Sequence, residues 1–278
     1  MIDAHVHLWD PARFRMEWLS GLPTLDRAFL PDDFRKAAGK TAPEKMIFVE
    51  CGCELAQNIA EADWISGLAE KESRIAGIVA QAALERGAKA RIELEQLAKR
   101  RLVKGVRRSL QDERGTDLFL GADFVAGARL LETFGFTFDV CIRHDQLAAA
   151  AELARRAPQV TFVLDHLGKP DVRGEKREPW AGDLKDFAAL PNTVCKISGL
   201  ATEGSWEHWK PEGFRYYFDK ALESFGVERV MFGGDWPVLT LATTYERWLE
   251  TIVSWSAGLG EAVRTQLFQT NAERIYRV

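Results

Sequence analysis

The chain has 278 residues, 46% of them hydrophobic, which is enough to bury one large core. Its 37 basic and 41 acidic side chains leave a net charge of −4, and this argues against a nucleic-acid binder, whose surface would carry a basic excess. There is no apolar run of about 18 residues to span a membrane, and Asp3, His5 and His7 at the start leave no room for an apolar leader, so a soluble cytoplasmic protein is expected.

Eight short β-like runs are separated by helical stretches. In chain order the strands are expected at 2–7, 45–50, 74–80, 102–107, 136–142, 160–166, 193–198 and 229–235. Several are apolar on both faces (Met46-Ile-Phe-Val, Thr161-Phe-Val-Leu), as parallel strands covered by helices must be. Between them, apolar residues three or four apart predict helices over 56–71, 90–100, 118–133, 146–157, 213–225 and 244–256. After the sixth strand, Pro170, Gly174 and Pro179 predict an excursion loop before a shorter helix, and the residues after Gly260 predict one more helix closing the bottom or side. Alternation of strand and helix eight times predicts a single α/β domain over 1–278, a (β/α)8 TIM-type barrel, with a doubly wound open sheet as the alternative. The four cysteines, Cys51, Cys53, Cys141 and Cys195, match no zinc ribbon and are expected as buried free thiols.

Chemistry-bearing residues cluster where the strands end. His5 and His7 alternate along the first strand, so both project to one face and can hold a cation between them. Asp235 follows Gly233 and Gly234 at the end of the eighth strand, a neighbour of the first in a closed barrel, and suits a general base toward water. Capping of the next helix is its plainer alternative. His166 closes the sixth strand as a metal ligand or a hydrogen-bond partner of a substrate carbonyl, while alternation sends Asp165 to the opposite face. One of Arg107 and Arg108 must face inward, where a guanidinium suits an oxyanion. Glu50 ends the second strand as a partner for a histidine or for substrate. His144, Asp139, Lys196 and Ser198 are further candidates on the fifth and seventh strands. Six tryptophans, Trp9, Trp18, Trp180, Trp206, Trp209 and Trp236, follow strand ends; flat rings with an N–H suit a sugar, and packing of the loops on the barrel rim is the equal alternative. Trp9 and Trp236 are the substrate-facing candidates beside Arg108, Glu50 and His144.

Taken together, Ile-Asp-Ala-His5-Val-His7-Leu-Trp9-Asp, Val-Glu50-Cys, Gly-Val-Arg107-Arg108, Asp165-His166-Leu-Gly-Lys-Pro and Gly-Gly-Asp235-Trp-Pro resemble the amidohydrolase superfamily, in its branch of sugar-acid and pyrone-dicarboxylate lactonases. The resemblance spans nearly the whole chain. It implies the (β/α)8 barrel, the first-strand pair at His5 and His7, the sixth-strand histidine at His166 and the last-strand aspartate at Asp235. Two departures matter: Lys104 comes too early on the fourth strand to carry a bridging carbamate, and His144 falls late after the fifth. One divalent metal, zinc, held by His5, His7 and Asp235, is therefore expected at most, and the resemblance does not require it.

The expected reaction is opening of a small sugar lactone, L-fucono-, L-rhamnono- or similar, to its acid. Asp235 takes a proton from water, Arg107 or Arg108 and His166 face the oxyanion, and Asp235 returns the proton to the leaving oxygen. A pyrone-dicarboxylate-type lactonase and a metal-dependent decarboxylase on the same barrel are the alternatives. The expected partner is a small-molecule lactone, with no nucleic acid and no membrane; a homo-oligomer is allowed.

Overall fold

The computed structural model describes residues 1–113 and 115–278. Eight strands pair in parallel in sequence order: β1 (Ile2–Val6), β2 (Lys45–Val49), β3 (Ile75–Gln81), β4 (Val103–Arg107), β5 (Thr137–Val140), β6 (Phe162–Leu164), β7 (Thr193–Ile197) and β8 (Val230–Phe232). The ends meet just past the last strand. Val6 bridges Trp236 in parallel, His7 N donates to the Trp236 carbonyl (2.7 Å), and Asp235 N donates to the His5 carbonyl (2.8 Å). That closure excludes the open-sheet alternative and sets His5, His7 and Asp235 side by side.

Each strand is followed by a helix, and the apolar outer faces of the strands pack against these helices in one large cluster. A second cluster fills the barrel floor. It joins Ile2, Ala4, Ile47, Val49, Val79, Val163, Val194 and Met231 to Ala272 and Tyr276 of the C-terminal helix Asn271–Tyr276. That helix is the expected closing element.

The departures have local causes. The run expected as one helix over 118–133 is two, Asp117–Leu120 and Ala122–Phe134, because Gly121 between them is extended (φ −63°, ψ 149°). The helix Pro31–Ala38 was not expected; it buries only Phe34 and Ala38, too few apolar positions to show a repeat. The sixth and eighth strands stop before His166 and Asp235, since both residues adopt left-handed backbone (φ 54° and 56°), where a strand no longer continues. All four cysteines are free and buried. No described helix is long and apolar enough to cross a membrane.

Candidate active site

The strand ends open into a cavity of about 310 Å³ lined by residues that include His7, Glu50, Arg107, His166 and Asp235. This is the C-terminal face of the barrel, where the loops can vary without disturbing the strand core. At its base three imidazoles surround one carboxylate oxygen. Asp235 Oδ1 lies 3.4 Å from His7 Nε2, 3.7 Å from His5 Nε2 and 4.0 Å from His166 Nε2, and all four side chains are buried.

Second contacts orient the rings. His7 Nδ1 lies 2.8 Å from the Val49 carbonyl, which only accepts, so Nδ1 carries a hydrogen, and in the neutral ring Nε2 presents a lone pair. That lone pair faces His5 Nε2 at 3.1 Å. His166 Nδ1 is 2.8 Å from Ser198 Oγ. The left-handed backbone at Asp235 and His166 aims both side chains into the mouth, and the Asp235 carbonyl, not its side chain, receives the Leu239 N–H that opens the next turn (2.9 Å). The capping alternative for the Asp235 carboxylate is thereby set aside.

A polar layer lies between this cluster and the apolar floor. Arg107 Nε donates to Glu50 Oε1 (2.6 Å), its NH2 to the Glu50 carbonyl (2.6 Å) and its NH1 to Asp165 Oδ2 (3.2 Å). Lys196 Nζ reaches Asp139 Oδ2 at 2.5 Å and Asp165 Oδ1 at 3.0 Å. Burial holds His5 well below the ordinary imidazole value and His166 down at about 4, so both are neutral near pH 7. Burial alone would raise Asp235, but His166, His7 and His5 outweigh it and hold the carboxyl well below the usual range. Burial likewise opposes ionisation of Asp165, and Lys196, His5 and Arg107 overcome it. The cluster is a carboxylate kept ionised among imidazoles, and the same neighbours that hold its charge make it a weaker base than a free carboxylate.

The same donors fit a cation. At 3.4 Å, the lone pair of His7 Nε2 and the Asp235 carboxylate are two acceptors face to face, which only a proton or a cation between them reconciles. His5, His166 and Asp235 bring donor atoms within 4.8 Å of one another. The shorter spacings, 3.1 to 3.7 Å, bracket the edge of about 3.3 Å expected of a tetrahedron with zinc–nitrogen bonds of about 2.0–2.1 Å.

Several expectations are corrected by the geometry. Arg107 is the inward arginine; Arg108 turns away to Glu85 (3.0 Å) and Glu113 (2.7 Å) and does not line the cavity, because alternation puts neighbours on opposite faces. Asp165 does not face the helices. It points into the barrel interior against His5, Lys196 and Arg107, in parity with the inward Val163, and the residue that departs from alternation is His166, whose backbone is left-handed. His144 opens a 3-10 turn outside the cavity lining. Trp236 is buried against Phe29 and Phe34 rather than facing substrate. Of the six tryptophans only Trp9 and Trp18 line the cavity, their rings 5.3 Å apart and edge to face, while Trp180 and Trp209 are core. Lys104 lies away from the mouth, as expected, in a cleft with Arg100, Arg101 and Arg277.

Other lining residues, Gln111, Asp112 and Thr202 among them, sit in loops whose placement no periodicity reveals. Lys196, a candidate already on the seventh strand, shares parity with Val194 of the interior cluster and so faces the barrel interior.

The amidohydrolase family model matches residues 2–278. The chain belongs to the amidohydrolase family. This amidohydrolase is similar to an L-fucono-1,5-lactonase of Burkholderia multivorans, 32% identical over 289 residues, covering 99% of this chain and 95% of the relative. An L-fucono-1,5-lactonase of Burkholderia ambifaria is 28% identical, covering 100% and 95%. Among solved structures, a Burkholderia multivorans amidohydrolase with bound zinc superposes with a TM-score of 0.89 at 31% identity, covering 100% of this chain and 99% of that one.

Proposed function

We infer that this amidohydrolase opens a small, uncharged sugar lactone to its hydroxy acid. The observation that carries the reading is Asp235 at the cavity base, ionised and ringed by His5, His7 and His166. The names of the lactonase relatives point the same way.

Asp235 takes a proton from a water that attacks the ring carbonyl. His166 and Arg107, both lining the cavity, face the oxyanion that develops, and loss of one such donor costs about 2.7–4 kcal/mol of transition-state stabilisation. As the tetrahedral carbon collapses, the carbon–oxygen bond of the ring breaks and protonated Asp235 returns its proton to the leaving oxygen. Water is consumed and one hydroxy acid forms. His5, His7 and Asp235, with His166 beside them, would hold a divalent metal, which when bound polarises the carbonyl and acidifies water.

Charge favours a sugar over a dicarboxylated pyrone. Arg107 is neutralised by Glu50 and Asp165, and Lys169 is engaged by Gln111 (2.5 Å) and by Glu203 (3.9 Å). Among the described lining residues no cation is left to clamp two carboxylates. Trp18, exposed at the cavity, offers an apolar face to sugar ring carbons, and Trp9, fully buried, packs behind it.

A proton-release screen with phenol red tests this, run over aldonolactones, a pyrone dicarboxylate and hydroxybenzoates, before and after chelation. Acidification with aldonolactones is expected. Preference for the pyrone, or carbon dioxide release from the benzoates, overturns the reading.

A further inference from the structure

Below the catalytic cluster, His5 Nδ1 faces a donor and an acceptor at once. Lys196 Nζ, fully buried, is 3.2 Å away. Asp165 Oδ1 is 3.3 Å away, a buried carboxylate oxygen whose other close neighbour is Lys196 Nζ at 3.0 Å. Flanked by Asp139 and Asp165, Lys196 stays an ammonium and can only donate.

We propose that Lys196 is a positioning residue which, in competition with Asp165, sets which nitrogen of His5 carries the proton and thereby whether His5 can ligate a metal. When the ammonium donates to Nδ1, the imidazole hydrogen sits on Nε2 and points to His7 Nε2 at 3.1 Å, whose own lone pair is fixed by the Nδ1–H bond to Val49. His5 then has no lone pair to offer a cation. When the proton moves from Nε2 to Nδ1, it meets Asp165 Oδ1, which has Lys196 Nζ at 3.0 Å and a further lone pair to accept with, and Nε2 turns a lone pair to the site. The ring is neutral in both forms, no proton is gained or lost, and Lys196 keeps Asp139 and Asp165 as acceptors. Metal-ligating histidines take their tautomer from such outer partners; here the chain supplies two with opposite preferences. The identity of the lactone does not enter, so this inference and the proposed reaction fail separately.

The test is two-bond nitrogen–proton correlation on metal-free protein labelled with 15N-histidine, with His5 assigned by loss of its signals in H5N. The Nε2–H form is expected without metal and the Nδ1–H form as zinc chloride is titrated in. An Nδ1–H pattern in metal-free protein, an Nε2–H pattern at saturating zinc, or no zinc bound at millimolar concentration overturns the proposal. In the charge-balanced variant K196M/D139N, zinc affinity measured against a chromophoric chelator should tighten by about tenfold or more. Unchanged or weaker affinity in the folded variant counts against it, and if that variant does not fold, the spectra of the unaltered protein decide.

Discussion

Arg107 grips Glu50 from two directions, with Nε on the carboxylate (2.6 Å) and NH2 on the same residue's carbonyl (2.6 Å), so one guanidinium ties the end of β4 to the end of β2. The remaining NH1 reaches Asp165, and both carboxylates are buried. Lysine has no planar fork to reproduce this. R107M should lower stability by about 3–5 kcal/mol, because two buried carboxylates lose their cation, and R107K should recover only part of that loss. Denaturant unfolding of the three proteins measures it. An R107M protein as stable as the parent would show that the network is not needed to order the mouth.

Asp235 is the proposed base. D235N keeps the shape but removes the charge, and it should reduce kcat/KM by a factor on the order of 100 or more and also lower the unfolding temperature, because the imidazoles stabilise that charge in the folded state. Steady-state proton release decides this. Retention of most of the rate would assign the base elsewhere.

Arg108, by contrast, is outside the cavity, held by Glu85 and Glu113. R108A should leave kcat/KM within about twofold of the parent and cost about 1 kcal/mol or less. A large rise in KM would mean that its side chain reaches substrate after all.

Gly199 supports the position of His166. Its φ of +65° disfavours any side chain, and an added Cβ would collide with the His166 ring. G199A should displace that imidazole and lower kcat/KM by about tenfold or more, since small misplacements near reacting atoms are costly. An unchanged rate would remove His166 from the chemistry.

Glu61 sets a pH dependence of stability. It is buried in the helix Asn58–Ala69 and accepts from Cys51 N (3.2 Å). Burial first, then the nearby Glu50 charge, push its carboxyl from 4.5 up to about 8. The folded chain therefore holds a proton that the unfolded chain releases between these values, so this contribution is complete below about 4.5 and is lost as pH rises through about 8. E61Q keeps the acceptor and never ionises. Its stability relative to the parent should improve, by a few kcal/mol at most, between pH 5 and pH 8.5 in paired urea titrations. A pH-independent difference would contradict the assignment.

What could be read from residues alone follows from periodicity. All eight strands were legible, because strands buried on both faces are near-continuous apolar runs, and so were the positions of His5, His7 and Asp235, because they lie in or within a few residues of the mouth ends of such runs. The inward face of Arg107 and the outward face of Arg108 needed the pairing Gln81↔Arg107 and Arg107↔Asp139 to be resolved.

The amino-acid order by itself thus determined a barrel with two imidazoles and a carboxylate at its mouth, since alternation and strand-end position are local properties of the chain. Only the tertiary structure decided that Asp165 turns inward, that Lys196 lies beneath His5 and that Trp236 is core. Those outcomes depend on where strands stop, on left-handed backbone at His166 and Asp235, and on pairing buried charges brought together from β4, β5, β7 and the end of β6. Such contacts join residues far apart in the chain, and no short-range pattern encodes them.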